Sequence, residues 1–334
     1  MTLKGRSFLT TQDFTRREIE SILATAALQK KKGWKQLRKR FALALLFFNN
    51  SLRTRSSFEL GAFQLGGHGV VLQPGKDAWP MEVREGVPMD GEAEEHVKDA
   101  TRILGRWFDA LCVRCFPKFQ DWSVDKQDLT LNSIAKYAGK PVINMETIVH
   151  PCQELALALT MKERMRKTDG KKFLLTWTFH PKGLNTAVAN SAALISTKMG
   201  MNLTILRPPG YDLDPMFMDQ ARENARAQGG SVTVTDSVEE GYAGADFVYC
   251  KSWGNLAYFG KWEEEKKIRE PYRHFIVDAK KMKLTNDAWV SHCLPMRRNV
   301  KMTDEVADSA KCLIIDEAEN RLHAQRALLS MILG

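Results

Sequence analysis

Apolar runs of strand length alternate with stretches of helical spacing along this chain, and no other feature restricts its fold as strongly. Residues 41–48 form an unbroken apolar run, and helical spacing of large apolar residues resumes from Phe58 to Leu65. Strands that are apolar on both faces are typical of parallel sheets covered by helices on both sides. The alternation therefore predicts an α/β fold with doubly wound parallel sheets.

The alternation occurs twice, and a chain of 334 residues is long enough for two domains. We predict a first domain over residues 1–150, a second over residues 151–316, and a last helix over residues 317–334 that returns to the first domain. The predicted strands cover residues 41–48, 70–72, 110–115, 141–145, 173–177, 202–206, 231–235, 246–250 and 290–294. The predicted helices include residues 96–108, 126–137, 150–166, 186–199, 215–228 and 316–333, and an earlier helix opened by a Thr15–Glu18 capping box.

The composition is that of an ordinary globular protein, with 44% hydrophobic and 27% charged residues. Neither a membrane-spanning run nor a signal-peptide core is evident, so we expect a cytoplasmic protein with no membrane partner. The net charge of +9 is compatible with nucleic acid, an anionic surface or small anionic substrates. Because the basic residues are spread along the chain and do not alternate with aromatic residues, a solvated basic surface is favoured and no nucleic-acid partner is expected.

The cysteines do not indicate a disulfide scaffold or a metal site. There are six in the whole chain, which is sparse for a disulfide framework. Cys112 and Cys115 fit a C-x-x-C pattern, but no second pair and no paired histidines follow at zinc-finger spacing. We expect reduced thiols buried in strands, and no metal.

A polar cluster follows residues 41–48, where the expected strand gives way to a helix. The first N–H groups of a helix lack internal partners and carry partial positive charge, so an anion is stabilised there. Ser51 and Thr54 add hydroxyl donors. Arg53 and Arg55 add guanidinium groups, which bind phosphate oxygens in pairs. The cluster predicts a phosphate site, although it also fits a capped helix start with two solvated arginines.

Charged residues also follow other predicted strands. Arg53, Arg114 and Glu146 each lie just past a strand end. Because ligands of parallel sheets bind at the carboxyl ends of the strands, we expect these residues on one rim. Residues 74–95 contain proline, glycine and many charges without periodicity, and we interpret them as a long functional loop or lid.

Three short motifs, in this order along the chain, resemble the signatures of the carbamoyltransferase family. They are Ser51-Leu-Arg-Thr-Arg55, His150-Pro-Cys-Gln153 and His292-Cys-Leu-Pro295. The resemblance covers essentially the whole chain and implies carbamoyl phosphate as the donor and an amine as the acceptor. It also implies two α/β domains with the active site in their cleft, completed by a neighbouring subunit of a homotrimer.

The resemblance also implies which residues bind the donor. The implied set is Ser51, Leu52, Arg53, Thr54, Arg55, Arg114, His150, Gln153, Cys293, Leu294 and Arg321. Thr54, Arg114 and His150 would surround the carbamoyl oxygen and are the expected catalytic residues. Gln153 and the backbone of Cys293 and Leu294 would hold the carbamoyl amino group. Taken alone, His150 is better interpreted as a plain capping residue before Pro151.

Elementary chemistry supports these residue types. An amine that attacks the carbamoyl carbon creates an oxyanion and then expels phosphate, so the site needs cations and N–H donors. It needs neither a covalent nucleophile nor a metal, and we expect no cofactor. Since no side chain is an obvious general base, the departing phosphate is a candidate to take the proton.

The acceptor region departs from the ornithine enzymes of this family. Those enzymes carry an aspartate and a Ser-Met-Gly stretch after the strand that corresponds to residues 246–250, and the aspartate meets a free α-ammonium group. This chain has Lys251-Ser-Trp-Gly254 there. Because a lysine would repel an α-ammonium group, an acceptor with a blocked α-amine is favoured.

Four stretches resemble the acetylornithine branch of the family: residues 77–79, 144–146, 176–185 and 297–301. The implied reaction moves the carbamoyl group to the δ-amine of N-acetyl-L-ornithine and yields N-acetyl-L-citrulline and phosphate, for arginine biosynthesis. The implied acceptor-binding residues are Trp79, Glu94, Glu146, His180, Lys251, Leu294, Arg297 and Lys301.

The resemblance to that branch implies further properties. Trp79 and Glu94 would reach in from the neighbouring subunit, and Arg297 and Lys301 would serve the carboxylate end of the acceptor. Lys301 corresponds to a lysine that can be carboxylated. The branch also threads the loop after residues 173–177 through the chain as a knot, which ordinary topology rules would not predict. Gly183 in this loop departs from the branch, which usually has proline there.

The acid that senses the acyl group must be one of several neighbouring glutamates, and we assign it to Glu94, two residues before His96. For Glu92 and Glu95 a solvated loop is favoured. A carboxylate at residue 94 should repel a succinyl carboxylate, and the succinylornithine branch carries proline at this place. N-succinylornithine is the alternative acceptor, and free ornithine is less favoured. A basic nucleic-acid-binding protein and an inactive homologue are the hypotheses from other classes.

Overall fold

The chain, seen in a computed structural model that describes residues 3–334, forms two compact units. Unit 1 contains Met1–Lys118, Ser123–Leu155 and Arg321–Gly334, and unit 2 contains Phe119–Trp122 and Ala156–Asn320. The end of the last helix therefore belongs to unit 1, which confirms its predicted return to the first part of the chain.

Unit 1 is organised around a parallel sheet. The strands of unit 1 are β1 (Ala42–Phe47), β2 (His68–Leu72), β3 (Met81–Glu82), β4 (Glu95–His96), β5 (Ala110–Arg114) and β6 (Val142–Glu146). Four of them pair in the order β2-β1-β5-β6, all parallel, while β3 pairs with β4. Every residue of β5 and β6 is buried, as expected for apolar runs in a sheet that is covered on both faces.

Unit 2 has a second parallel sheet. Its strands are β7 (Lys172–Trp177), β8 (Asn202–Leu206), β9 (Val232–Thr235), β10 (Phe247–Lys251) and β11 (Trp289–Ser291). They pair in the order β11-β10-β7-β8-β9, and every pairing is parallel. The predicted α/β fold with two parallel sheets is confirmed.

Helices connect the strands throughout the chain. They are α1 (Arg16–Lys32), α2 (Arg53–Gln64), α3 (Val97–Trp107), α4 (Trp122–Asp125), α5 (Leu129–Tyr137), α6 (Pro151–Met165), α7 (Ala187–Lys198), α8 (Pro215–Gln228), α9 (Val238–Tyr242), α10 (Trp262–Arg269), α11 (Ala279–Met282), α12 (Asp304–Ala307) and α13 (Ile314–Leu333), with 3-10 turns at Thr11–Asp13, Leu256–Tyr258 and Glu270–His274. Local signals set several ends: Thr15 and Glu18 form the predicted capping box of α1, and Gly229 ends α8 in the left-handed conformation. Within residues 3–334, none of these helices is long and apolar enough to cross a membrane.

Two predicted elements differ from the structure by three residues at one end. The helix predicted over residues 126–137 begins only at Leu129, because Asp128 before it has a left-handed φ of 50°. The strand predicted over residues 290–294 ends at Ser291, and Leu294 has a φ of 54°, which an extended strand does not accommodate.

The segment over residues 74–95, expected to be a loop without regular structure, includes β3 and the first residue of β4. This pairing is only two residues long, so most of the segment is irregular. The knot expected after residues 173–177 stays a prediction.

Gly105 allows α3 to lie directly against the chain that precedes β6. A Cβ atom at Gly105 would stand 1.9 Å from the Ala138 carbonyl oxygen. We expect Gly105→Ala to lower the free energy of unfolding by about 1–3 kcal/mol, because the helix would have to move away from that backbone. Urea unfolding would measure the change.

Gly61 of α2 provides a matched control, because a Cβ atom there would come no closer than 3.7 Å to its neighbours. Gly61→Ala should leave stability unchanged or raise it by up to about 1 kcal/mol, as expected for alanine in a helix. Equal losses in the two variants would contradict the explanation by close approach.

Candidate active site

The turn between β1 and α2 carries the first motif. The Thr54 N–H donates to Ser51 Oγ at 3.1 Å, while Leu52 at the N-cap position makes no side-chain capping bond. Thr54 is buried and Leu52 is 75% exposed. Arg55 lies on the exposed side, with its Nε 3.5 Å from Glu59 Oε1. Hydroxyl, guanidinium and backbone N–H groups thus meet at one helix start, which is an arrangement that stabilises an anion.

A buried arginine of α13 connects this turn with α6. Arg321 is 3% exposed, its Nη1 donates to Gln153 Oε1 at 2.7 Å, and its Nη2 donates to Thr54 Oγ1 at 2.8 Å. Burial lowers the pKa of Arg321, but a guanidinium group remains protonated at neutral pH. A fixed positive charge therefore stands beside the Thr54 hydroxyl.

Residues at the ends of β5 and β6 form a second part of the unit 1 site. Arg114 Nη1 donates to Glu146 Oε2, and His150 Nε2 lies 3.4 Å from the same oxygen. The Arg114 guanidinium carbon also stands 4.5 Å from the centre of the Phe116 ring. One carboxylate thus holds an arginine and a histidine side by side, both nearly excluded from water.

The structure divides the predicted site residues between the units. Of the donor-binding set, unit 1 holds Ser51, Leu52, Arg53, Thr54, Arg55, Arg114, His150, Gln153 and Arg321, and unit 2 holds Cys293 and Leu294. Of the acceptor-binding set, unit 1 holds Trp79, Glu94 and Glu146, and unit 2 holds His180, Lys251, Leu294, Arg297 and Lys301. Trp79 and Glu94 are exposed, whereas Glu146 packs with Arg114 and His150.

In unit 2 a buried histidine lies among cations. His180 Nε2 accepts a hydrogen bond from Arg297 Nε at 3.2 Å, and its Nδ1 lies 2.9 Å from the Lys182 carbonyl oxygen. Because Arg297 Nε can only donate, Nε2 accepts and the ring proton belongs on Nδ1, which faces the Lys182 carbonyl oxygen and, at 3.0 Å, also the Lys182 N–H. Burial, together with the nearby charges of Lys301, Arg297 and Lys251, lowers the pKa of His180 to about 4. His180 is therefore neutral at physiological pH.

Lys301 is a second perturbed group in this cluster. It is 2% exposed, and burial together with the charge of Lys251 lowers its pKa to about 7. Its Nζ lies 3.3 Å from His292 Nε2, while His292 Nδ1 accepts the Leu294 N–H at 2.8 Å. In a neutral ring whose Nδ1 accepts, Nε2 carries the proton and can donate it to the Lys301 amine when that amine is neutral.

Sequence reasoning gave no role to His292, although it stands in the third motif. Its contacts connect the backbone of Leu294 with the side chain of Lys301. The only signal for this role is its position at the start of His292-Cys-Leu-Pro295.

Parallel sheets, an anion-binding helix start and buried cations near strand ends define an α/β protein equipped to bind anions and to polarise a carbonyl oxygen. The family model for the carbamoyl-P binding domain of aspartate/ornithine carbamoyltransferase matches residues 6–163, and the model for its Asp/Orn binding domain matches residues 182–332. The chain belongs to the aspartate/ornithine carbamoyltransferase family.

Relatives of known name cover the whole chain. The N-acetylornithine carbamoyltransferase of Xanthomonas campestris pv. campestris is 58% identical over 100% of this chain and 99% of the relative. The enzyme of the same name from Xylella fastidiosa strain Temecula1 is 54% identical over 98% of each. A crystal structure of acetylornithine transcarbamylase complexed with acetylcitrulline is similar with a TM-score of 0.97 and 57% identity, and it covers 98% of this chain and 99% of that one.

The pKa of Lys301 predicts how the stability of the protein depends on pH. Below pH 7 both the folded and the unfolded state bind the lysine proton, so the unfavourable burial of its charge is fully present. Between pH 7 and about 10.5 the folded state has released the proton and the unfolded state still binds it, so stability rises with pH. We expect the stability gain of Lys301→Met over the wild type to be largest at pH 6 and to shrink across this window, by up to about 1.4 kcal/mol per pH unit.

Urea unfolding in CO₂-free buffer at several pH values would test this expectation. The exposed Lys280 offers a matched control. The free energy of unfolding of Lys280→Met should change with pH as that of the wild type does. A gain for Lys301→Met that does not change with pH would show that the buried lysine is not the titrating group.

Proposed function

We propose that this protein transfers the carbamoyl group of carbamoyl phosphate to the δ-amine of N-acetyl-L-ornithine, yielding N-acetyl-L-citrulline and phosphate. The observation that carries this proposal is the 58% identity over the full chain to a relative named N-acetylornithine carbamoyltransferase. The similarity to acetylornithine transcarbamylase complexed with acetylcitrulline supports the same acceptor. The reaction serves arginine biosynthesis and needs no cofactor. A cytoplasmic location is supported by the six cysteines of the described chain, all of which are thiols.

The donor would be bound mainly by unit 1. Its phosphate would sit at the start of α2, where the hydroxyl, N–H and guanidinium groups converge. The residues proposed for the phosphate are Ser51, Leu52, Arg53, Thr54, Arg55 and Arg321. Gln153 and the backbone of Cys293 and Leu294 would hold the carbamoyl amino group.

Catalysis would come from stabilising the charge that develops on the carbamoyl oxygen. The lone pair of the acceptor amine attacks the carbamoyl carbon, and the C=O electrons move onto the oxygen beside Thr54, Arg114 and His150. The oxyanion then collapses, the bond from carbon to the phosphate oxygen breaks, and the departing phosphate takes the proton that the amine releases. Glu146 supports this step by holding Arg114 and His150 together.

The acceptor would be bound mainly by the cationic group of unit 2. Lys251 and Arg297 suit the carboxylate of an acylated ornithine and would repel a free α-ammonium group, and Lys301 would serve the same end of the acceptor. His180 stands in this group as a neutral acceptor, and Glu146 and Leu294 complete the proposed acceptor set. Since the lowered pKa of Lys301 leaves part of its amine neutral near pH 7, it is suited to add CO₂ and release a proton, and we propose it as a carboxylated lysine.

A homotrimer with shared active sites is also part of the proposal. Unit 1 exposes large apolar side chains on two helices, Leu60 and Phe63 on α2 and Ile103 and Trp107 on α3. Exposed groups of this kind are typical of interfaces, and a ring of subunits joins two different surfaces of each subunit. The exposed Trp79 and Glu94 would then reach the acyl group in a neighbouring subunit.

Steady-state kinetics with purified protein would test the acceptor directly. With saturating carbamoyl phosphate we expect kcat/KM for N-acetyl-L-ornithine to exceed the values for N-succinyl-L-ornithine, L-ornithine and L-aspartate by about a hundredfold or more. A preference for free ornithine would contradict the argument from Lys251. A preference for the succinyl compound would establish the alternative acceptor.

The lid acids give a second prediction. Glu94→Ala should raise kcat/KM for N-succinyl-L-ornithine by about tenfold or more, because it removes a carboxylate that repels the succinyl carboxylate. Glu92→Ala removes another exposed acid two residues earlier, and it should not change kcat/KM for either acceptor. If Glu92→Ala has the larger effect, the acyl-sensing acid is assigned to the wrong glutamate.

A further inference from the structure

A salt bridge in α10 is fully buried. Glu265 and Arg269 stand one turn apart, their side chains are 0% and 2% exposed, and Arg269 Nη1 lies 2.6 Å from Glu265 Oε2. Removing two charges from water is so unfavourable that such a pair seldom adds net stability compared with apolar side chains. A role in holding nearby loops of the same chain in place explains the pair better.

Both members of the pair bind backbone groups of loops that follow strands of the unit 2 sheet. Glu265 Oε1 accepts the Asn255 N–H at 3.0 Å, in the loop after β10. Arg269 Nη2 donates to the Pro181 carbonyl oxygen at 3.1 Å, in the loop after β7. The pair therefore holds two loops that are remote from each other in sequence.

These loops lie unusually close to α10. A Cβ atom at Gly183 would stand 2.3 Å from a ring carbon of Trp262, and one at Gly254 would stand 2.6 Å from the same ring. The Gly254 N–H also donates to the Leu184 carbonyl oxygen at 2.9 Å. The glycines let both loops pack their backbone onto the helix, so its two charged groups can reach backbone partners.

The same loops carry residues proposed to bind the acceptor. His180 directly precedes Pro181, and its ring accepts from Arg297. Lys251 ends β10, and its carbonyl oxygen accepts the Thr178 N–H at 3.0 Å. A shift of either loop would move a side chain of the cationic group.

We propose that Glu265 and Arg269 are positioning residues, a clamp that holds both loops so that His180 and Lys251 keep the placement required by the acylated ornithine. This inference rests on the proposed function. The clamp touches neither substrate, and it acts through the backbone groups of Pro181 and Asn255.

Arg269→Lys tests the clamp with little change in charge. Lysine can stay beside Glu265 but has no second nitrogen to reach the Pro181 carbonyl oxygen. We expect KM for N-acetyl-L-ornithine to rise by about tenfold or more, with KM for carbamoyl phosphate changed by less than about twofold. Arg222→Lys makes the same replacement in an exposed ion pair of unit 2 and should change neither constant.

The double variant Glu265→Leu/Arg269→Met separates positioning from folding. Apolar side chains of similar volume should keep the protein folded, as judged by an unchanged or higher Tm, yet they cannot bind the loops. We expect the same selective rise in KM for the acceptor. A wild-type KM in this folded double variant would overturn the proposal.

Hydrogen–deuterium exchange without any substrate distinguishes failure of the clamp from failure of the proposed function. In Arg269→Lys, and not in Arg222→Lys, peptides over residues 178–186 should exchange faster than in the wild type, and the double variant should extend this to residues 252–258. Unchanged exchange would overturn the clamp whatever the acceptor is. If the variants exchange faster as predicted but the wild-type enzyme does not use N-acetyl-L-ornithine, only the proposed function and the link from the clamp to this acceptor would be overturned.

Discussion

Parallel pairing of β1, β5 and β6 is the constraint on which the proposed donor site depends. The register places Phe47 opposite Arg114, and Arg114 opposite Glu146. Because parallel strands bring their carboxyl ends to one edge of the sheet, the guanidinium and the carboxylate meet there, and His150 joins them from the segment just beyond β6. A slip of one residue in this register would turn the side chains to the opposite face of the sheet and separate the pair.

The Arg114 cluster of unit 1 and the cationic group of unit 2 handle buried charge in opposite ways. In unit 1 Arg114 is neutralised by Glu146, so its cation is held in place before any substrate binds. In unit 2 Lys251, Lys301 and Arg297 lie near one another, and burial together with their repulsion lowers the pKa of Lys301 to about 7. An anionic ligand group relieves that repulsion, whereas a ligand ammonium group increases it. Under the proposed function, the cationic group would thereby favour an acceptor whose α-amine is blocked.

Sequence patterns predicted the structure best where buried apolar residues recur regularly along a strand or a helix. The apolar runs located the strands of both sheets to within a few residues, because a strand covered on both faces admits few polar side chains. They misplaced the ends of elements near Asp128 and Leu294, because the left-handed φ of these residues leaves no trace in the periodicity. They also gave no hint of the α10 clamp, since Glu265 lies in a run of charged residues that is typical of a solvated helix and yet is fully buried.

Three features follow from the amino-acid sequence alone: the alternation of strands and helices, the helix start that attracts an anion, and the three motifs that resemble the carbamoyltransferase signatures. These features are local, because they follow from side-chain periodicity and from the unpaired N–H groups of a helix start. Which polar groups meet, in contrast, depends on tertiary packing. The Arg321 to Thr54 hydrogen bond joins residues 267 positions apart, and the pKa of Lys301 depends on its burial beside Lys251. Packing sets such distances and exposures, and neither is encoded in the spacing of residues along the chain.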